Sequence, residues 1–292
     1  TFPTSEHEFD NGNIAQWLWD FDDAGATSSL QDPSHTFTGS GQYNVSLSVV
    51  SRRGCPGDTV KIVNIVPSIL IPAIGMLCED FETDNGGWAI SPDRLLDLNS
   101  WEYGEPNDSI ISYAASGINA WVTKLSEPYN DGERSYLISP AYDISALDRP
   151  MLTFNYWSHL GATDGVVLQY SDDGGISWNV VGALTGKEPY DIPWWGNEWW
   201  YNDINISADP GEQQLDPTLN VGWTLESGGW LNARIPLDQI PTRLTNPVIF
   251  RFAFASVETS VPNTLDGFAI DDFCLGNRTR NVLVENFVNF EN

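Results

Sequence analysis

Acids and indoles are the residues of this 292-residue chain whose chemistry stands out: 40 Asp and Glu face 13 Lys and Arg, in company with 13 tryptophans. Carboxylates can work as a pair across a cleft to hydrolyse a glycosidic bond, or gather with backbone carbonyls around a hard cation such as calcium. In so acidic a chain the presence of pairs discriminates nothing, because only their separation across a cleft counts for hydrolysis. Nucleophilic and zinc-dependent catalysis lack their patterns. There is no GxSxG or HExxH run, and His7, His35 and His159 are scattered with no cysteine–histidine pairing. The chain is therefore expected not to be an enzyme.

The most aromatic stretch is Pro193-Trp194-Trp195-Gly196-Asn197-Glu198-Trp199-Trp200-Tyr201-Asn202. Trp194, Trp195, Trp199, Trp200 and Tyr201 cannot all be core in a turn-rich segment. Exposed rings beside Asn and Asp offer pyranose sugars a flat apolar face with a hydrogen-bonding rim. A long loop stapled to a sheet by its own tryptophans would contain the same residues. A second run, SDDGGISW from Ser171 to Trp178, sets two aspartates beside two glycines and an indole. It lies between alternating segments at 165–170 and 179–182, so it reads as a hairpin whose glycines supply positive φ.

The formal charge of -27 repels phosphate backbones and anionic lipid heads, which argues against nucleic acid and membrane insertion. The same excess suits divalent cations and an extracellular setting, or simply a solubilising surface. Cys55, Cys78 and Cys274 have no CxxC spacing, and one pair with one leftover is the simplest count. No run of 18 apolar residues occurs; the segment 69–77 is broken by Pro72 and Gly75.

Strands must position these residues. Helical periodicity is hard to find, whereas alternating runs bounded by Gly, Pro, Asn and Asp recur, for example at 43–50, 151–156 and 248–255. The fold class is all-β. Composition shifts at Val66-Pro67-Ser68-Ile69-Leu70-Ile71-Pro72, where two prolines frame a short apolar connection. Two sandwiches are expected: residues 1–66 and 78–276, with 67–77 as linker and 277–292 as a further linker or the start of another module.

Residues 1–66 carry Trp17-Leu18-Trp19-Asp20-Phe21-Asp22-Asp23, then Asp32-Pro33-Ser34-His35-Thr36-Phe37, then Gly41-Gln42-Tyr43-Asn44-Val45-Ser46-Leu47-Ser48-Val49. In that order they resemble the PKD domain, an immunoglobulin-like β-sandwich marked by a WDFGDG-like run, NPxHxY and GxYxVxLxV. Asp22, Asp32 and Phe37 depart from the pattern. The strand such domains carry before this point is lacking, so the resemblance implies truncation at the N-terminus, with Cys55 parted from its partner or a free thiol. Trp19 and Phe21 alternate with Asp20 and are expected in the core. His35 is expected to hydrogen-bond locally; Asp20, Asp22 and Asp23 are either solvated or calcium-binding.

From Cys78 the chain reads Cys78-Glu79-Asp80-Phe81-Glu82, Gly86-Gly87-Trp88, Tyr136-Leu137-Ile138-Ser139-Pro140 and, near its end, Gly267-Phe268-Ala269-Ile270-Asp271-Asp272-Phe273. These motifs resemble MAM-like jelly-roll domains. The runs AWVT at 120–123, SDDGGISW and Trp200-Tyr201-Asn202 narrow the likeness to modules of Bacteroidetes surface and secreted proteins, which are coupled to PKD domains and exported by type IX secretion. Because first and last strands are neighbours in a jelly roll, the resemblance implies a Cys78–Cys274 disulfide, two buried thiols being the alternative. The same adjacency brings Glu82 toward Asp271 and Asp272. Since consecutive strand residues point to opposite faces, only one of those aspartates is expected to join Glu82 in a structural calcium site, the alternative being a set of surface acids. Ser171, Asp173, Gly175, Ser177 and Trp178 fit the Asp-box pattern SxDxGxTW, with Ser177 in the threonine place. There the aspartate caps loop amides and the indole packs beneath.

These expectations describe a non-catalytic segment of an extracellular or cell-surface protein: a PKD-like spacer and a calcium-stabilised jelly roll for adhesion or recognition. Its partners would be a cell-surface glycan or protein and the neighbouring modules of its own chain. The alternative is a carbohydrate-binding accessory module of a secreted polysaccharide-degrading or proteolytic enzyme.

Overall fold

The computed structural model describes residues 14–39, 41–91, 98–182, 200–203, 205–213, 220–241, 243–260 and 263–278. These residues form strands, turns and loops and contain no helix, so the chain is all-β. It divides into two compact units, Thr1–Pro67 and Ser68–Asn292.

The first unit is a sheet of β1 (Ile14–Asp20), β2 (Thr27–Ser28), β3 (Gly41–Ser51) and β4 (Pro56–Ile65), antiparallel throughout in the order β2-β1-β3-β4. Trp19 and Phe21 lie two residues apart and turn to the same side, where they pack with Val45. His35 stacks on Phe21 with ring centroids 4.2 Å apart and places Nε2 2.8 Å from the Asp23 carboxylate. Asp23 also accepts the amide and hydroxyl of Thr38. The Thr38 hydroxyl, helped by His35 and opposed by burial, holds the Asp23 carboxyl below its usual range. Asp23 and His35 thus tie the 32–38 loop to the sheet. Asp22 accepts the amide of Asn44, and Asp20 the amide of Asp22.

The second unit is a two-layered sandwich. One sheet contains β5 (Ser68–Leu70), β7 (Ala89–Ser91), β10 (Arg134–Asp143), β12 (Gly165–Ser171), β13 (Asn179–Val180) and β15 (Val248–Ala255), in the order β13-β12-β15-β10-β5 with β7 also on β10. The other contains β6 (Met76–Glu79), β8 (Trp101–Gly104), β9 (Ala120–Thr123), β11 (Pro150–His159), β14 (Leu231–Pro236) and β16 (Gly267–Asn277), in the order β14-β11-β16-β9-β8 with β6 also on β16. Alternate residues of facing strands meet in an aromatic core: Phe154 of β11 stands edge-on to Phe252 of β15 at 5.0 Å, and Phe250 meets Phe273 at 5.9 Å. These rings are buried, and replacing one by alanine would cost about 3–5 kcal/mol.

Two expectations need correction here. Residues 67–77 are not a plain linker, because Ser68–Leu70 pairs in parallel with Ala141–Asp143 and Ile71 is fully buried in the core. The apolar run between the prolines serves as an edge strand, flanked by Pro67 and Pro72 outside its ladder. The second correction concerns Asp271 and Asp272. β16 has one residue more than β11 between the pairs Thr153–Cys274 and Asn155–Asp271, a β-bulge at which Asp272 adopts φ 50°. The bulge breaks strict alternation, so both aspartates reach the same neighbouring loop instead of opposite faces. Cys78 and Cys274 are register partners on β6 and β16 and are joined as a disulfide. Its 196-residue separation corresponds to about 5 kcal/mol on the chain-entropy account. Cys55 is an exposed free thiol.

Candidate functional site

The chain between β8 and β9, residues 105–119, crosses the outer face of the second sheet. Tyr156 and Ile270 of that sheet belong to the inner core, so their strand neighbours Trp157 and Ala269 point outward. Ile111 and Ala114 of the excursion pack there against Ala120, Val122, Trp157 and Ala269 in a separate small core. Ile111 is fully buried, an anchor worth about 1.5–3 kcal/mol.

Acids hold the backbone of this excursion at three places. Asp266, one residue before β16, accepts the amides of Ile110 at 2.6 Å and Ile111 at 2.8 Å and the Ser109 hydroxyl at 3.0 Å. Its carboxylate and amide both lie 3.1 Å from His159 Nδ1. Burial opposes its ionisation, but the two amides, Ser109 and His159 outweigh that and hold the carboxyl below its ordinary range. Further along, Ser116 donates its amide to Asp271 at 2.9 Å and its hydroxyl to Asp272 at 2.9 Å. Glu82 Oε1 then accepts the amides of Ile118 at 2.9 Å and Asn119 at 2.7 Å. Gly117, with φ +54°, lies directly over the Glu82 carboxylate.

The sequence-predicted acids are thus brought to one loop but not into one ion-binding group. Among the described residues no three His, Cys, Asp or Glu side chains gather closely enough to hold a metal ion. Asp271 is fully buried, its oxygens taken up by the amides of Ser116 and Asp272. Burial, reinforced by the charge of Asp272, pushes its carboxyl up to about 7 against those amides. Asp272 reaches out of the bulge to accept Asn155 Nδ2 at 2.7 Å. Among the described residues no Lys, Arg or His forms an ion pair with Glu82, Asp271 or Asp272. Glu82 is committed to the amides of Ile118 and Asn119.

On top of the excursion the structure presents an aromatic ledge that sequence reasoning missed. The Tyr113 ring is 57% exposed and stands edge-on to Trp157 at 5.2 Å and 70°. Trp230 stands on Trp157 at the same 70° and 5.9 Å, and its indole nitrogen donates to the carbonyl of Tyr113 at 3.0 Å. Isolated aromatic residues gave no periodic signal; the available hint was Asp266, an acid immediately before the apolar closing strand.

The aromatic run fares differently. Trp194, Trp195 and Trp199 lie outside the described residues. Tyr201 is corrected as a sugar-stacking candidate: it is buried, and its hydroxyl donates to the carbonyl of Leu168 at 3.0 Å while accepting that residue's amide. Burial drives its phenol pKa well up, against the Leu168 hydrogen bond. Trp200 is partly buried, packs edge-on with Phe154 and Trp223 and donates to the carbonyl of Val181, so it is held to the core. The core needed these rings to close the sandwich edge.

In the SDDGGISW hairpin, Asp173 accepts the amides of Ile176 and Ser177 and the hydroxyls of Ser171 and Ser177. Gly174 and Gly175 have φ of 75° and 86°. Although burial opposes ionisation, these bonds hold the Asp173 carboxyl below its usual range. Trp178 lies on the Arg251 guanidinium at 4.2 Å, with Tyr136 on the other side at 4.1 Å. This geometry turns the chain and seats the hairpin.

Comparison with known proteins gives a family for the first unit: residues 1–66 match the PKD domain. Over 65 residues, 22% of this chain, the sequence is 43% identical to a microbial collagenase of Vibrio alginolyticus, of which the match spans 8%. Among solved structures the chain is similar to the K1 cleaved adhesin domain of Lys-gingipain from Porphyromonas gingivalis W83, at 14% identity over 70% of this chain and 99% of that one, with a TM-score of 0.37. It is also similar to a family 11 carbohydrate-binding module of Clostridium thermocellum, solved with a mixed-linked tetrasaccharide, at 12% identity over 72% and 99% of the two chains and a TM-score of 0.34.

Proposed function

We propose that this chain is a non-catalytic segment of an extracellular surface protein, in which the PKD unit is a spacer and the sandwich is a calcium-stabilised module for adhesion or recognition. The observation that carries the reading is the 105–119 excursion. Its backbone is tied down by Asp266, Asp271 and Glu82 and the Ser116 hydroxyl by Asp272, while Tyr113, Ile110 and Ile118 are exposed to solvent. A surface held that firmly and left that apolar suits contact with a partner, a cell-surface glycan or protein. The motif order from Cys78 to Phe273 supports the finer reading of a MAM-like module of Bacteroidetes surface proteins exported by type IX secretion. Calcium at Asp271 and Asp272, with carbonyls completing the shell, would let the buried carboxylate ionise and brace the bulge.

The stretch shared with the collagenase favours a second reading, an accessory segment of a secreted enzyme. Beads coated with the chain separate these from catalysis. Calcium-dependent retention on immobilised glycans or matrix proteins, with the substrate left intact, is the expected result; turnover of a polysaccharide or protein by the purified chain would contradict the reading.

A further inference from the structure

We propose that the ledge of Tyr113, Trp157 and Trp230 is a binding site for a neutral pyranose of a polysaccharide; this rests on the recognition reading above and names its ligand class. Trp157 forms a nearly buried floor, and Tyr113 and Trp230 each rise from it at 70°, so the two outer rings are fixed relative to one floor. The bond from the Trp230 indole to the Tyr113 carbonyl locks one wall to the backbone of the other. Such an array is formed before any ligand arrives, which lowers the ordering cost of binding.

Polar groups for hydroxyls lie one step along the same outer face. Asn155 and Asn232 are register partners two residues from Trp157 and Trp230, and a two-residue step is about 6.8 Å, the scale of one sugar ring. Asp272 accepts from Asn155 Nδ2, and Asn155 Oδ1 accepts Asn232 Nδ2 at 2.9 Å, so the bulge orients both amides. Asn232 is exposed. Just before Trp230 in the chain, a β-carbon at Gly228 or Gly229 would meet nothing within 4 Å outside its own chain neighbours.

Charge selects against acidic sugars. Asp272 is bonded to Asn155, Asp266 to the amides of Ile110 and Ile111 three and two residues before Tyr113, and Glu226 stands by His159, two residues along β11 from Trp157, in a chain of formal charge -27. A neutral hexose or pentose presents its apolar face to the rings without meeting that field.

Affinity electrophoresis of the full chain in gels containing β-glucan, xylan, galactomannan or polygalacturonate tests this. Retardation by at least one neutral polysaccharide is expected. Tyr113→Ala and Asn232→Ala should each weaken it about tenfold or more, Tyr113→Phe should retain it, and all should melt near wild type because both residues are exposed. Retardation unchanged in a folded Tyr113→Ala chain would overturn the ledge while leaving recognition elsewhere on the surface intact. Retardation by polygalacturonate alone, or by no polysaccharide while the beads still capture a matrix protein, would overturn the ligand class without touching the recognition reading.

Discussion

Gly117 passes so close over Glu82 that a β-carbon on it would lie 2.1 Å from the Glu82 carboxyl carbon. The two residues are one device: the glycine's left-handed φ of +54° turns the chain, and the carboxylate beneath takes the two amides that follow, Ile118 and Asn119. Gly117→Ala should therefore push the excursion off its carboxylate as well as strain its backbone. A loss of about 1–3 kcal/mol in a denaturant titration is expected. Stability equal to wild type would show that the loop is not seated as described.

Acid should release the other end. The folded-state pKa of Asp266 is below its ordinary 3.8, so its stabilising contribution is fully present above that value and is lost as pH falls through the lowered one. Asp266→Asn keeps an acceptor but gives up the charge-assisted bonds, costing about 1–3 kcal/mol at neutral pH. The difference in melting between wild type and variant should hold from pH 7 to 5 and close below 3.8. A difference that instead grew in acid would contradict this assignment.

Calcium should raise the melting temperature of the full chain, and a chelator should reverse it. At a hundredfold excess over its dissociation constant the ion adds about 2.7 kcal/mol. Asp271→Asn should abolish the response, whereas Asp173→Asn, in the hairpin of the other sheet, should leave it in place. Equal melting with and without millimolar calcium would remove the ion from the description.

Reduction should be costly. The Cys78–Cys274 bond joins β6 to the closing strand β16, and its loss is expected to lower stability by about 5 kcal/mol. Double replacement by serine, followed by denaturant titration against wild type with and without reductant, checks it. Reductant should destabilise wild type and leave the double variant unmoved; a wild type indifferent to reductant would contradict the role.

The layered β fold was legible from strand alternation, and the Asp-box hairpin from its local pattern, because both are set by residues a few positions apart. Trp19 and Phe21 were placed in the core for the same reason. What spacing could not supply was long-range. The bulge that turns Asp271 and Asp272 toward one loop exists only in the pairing of β16 with β11. Tyr113 and Trp230 are 117 residues apart and meet only because both loops end over β11. The Trp200-Tyr201 pair misled for the opposite reason: composition marks aromatic rings as able to stack on sugars, but the sandwich edge required these two for itself.

The most direct measurement is amide hydrogen exchange of the full chain across residues 105–119. If buried carboxylates hold this excursion as a firm presenting surface, the amides of Ile110, Ile111, Ser116, Ile118 and Asn119 should exchange orders of magnitude more slowly than an open loop. Asp266→Asn should then speed Ile110 and Ile111 first. Exchange of all five at free-loop rates in wild type would contradict the presenting surface and, with it, the recognition module built upon it.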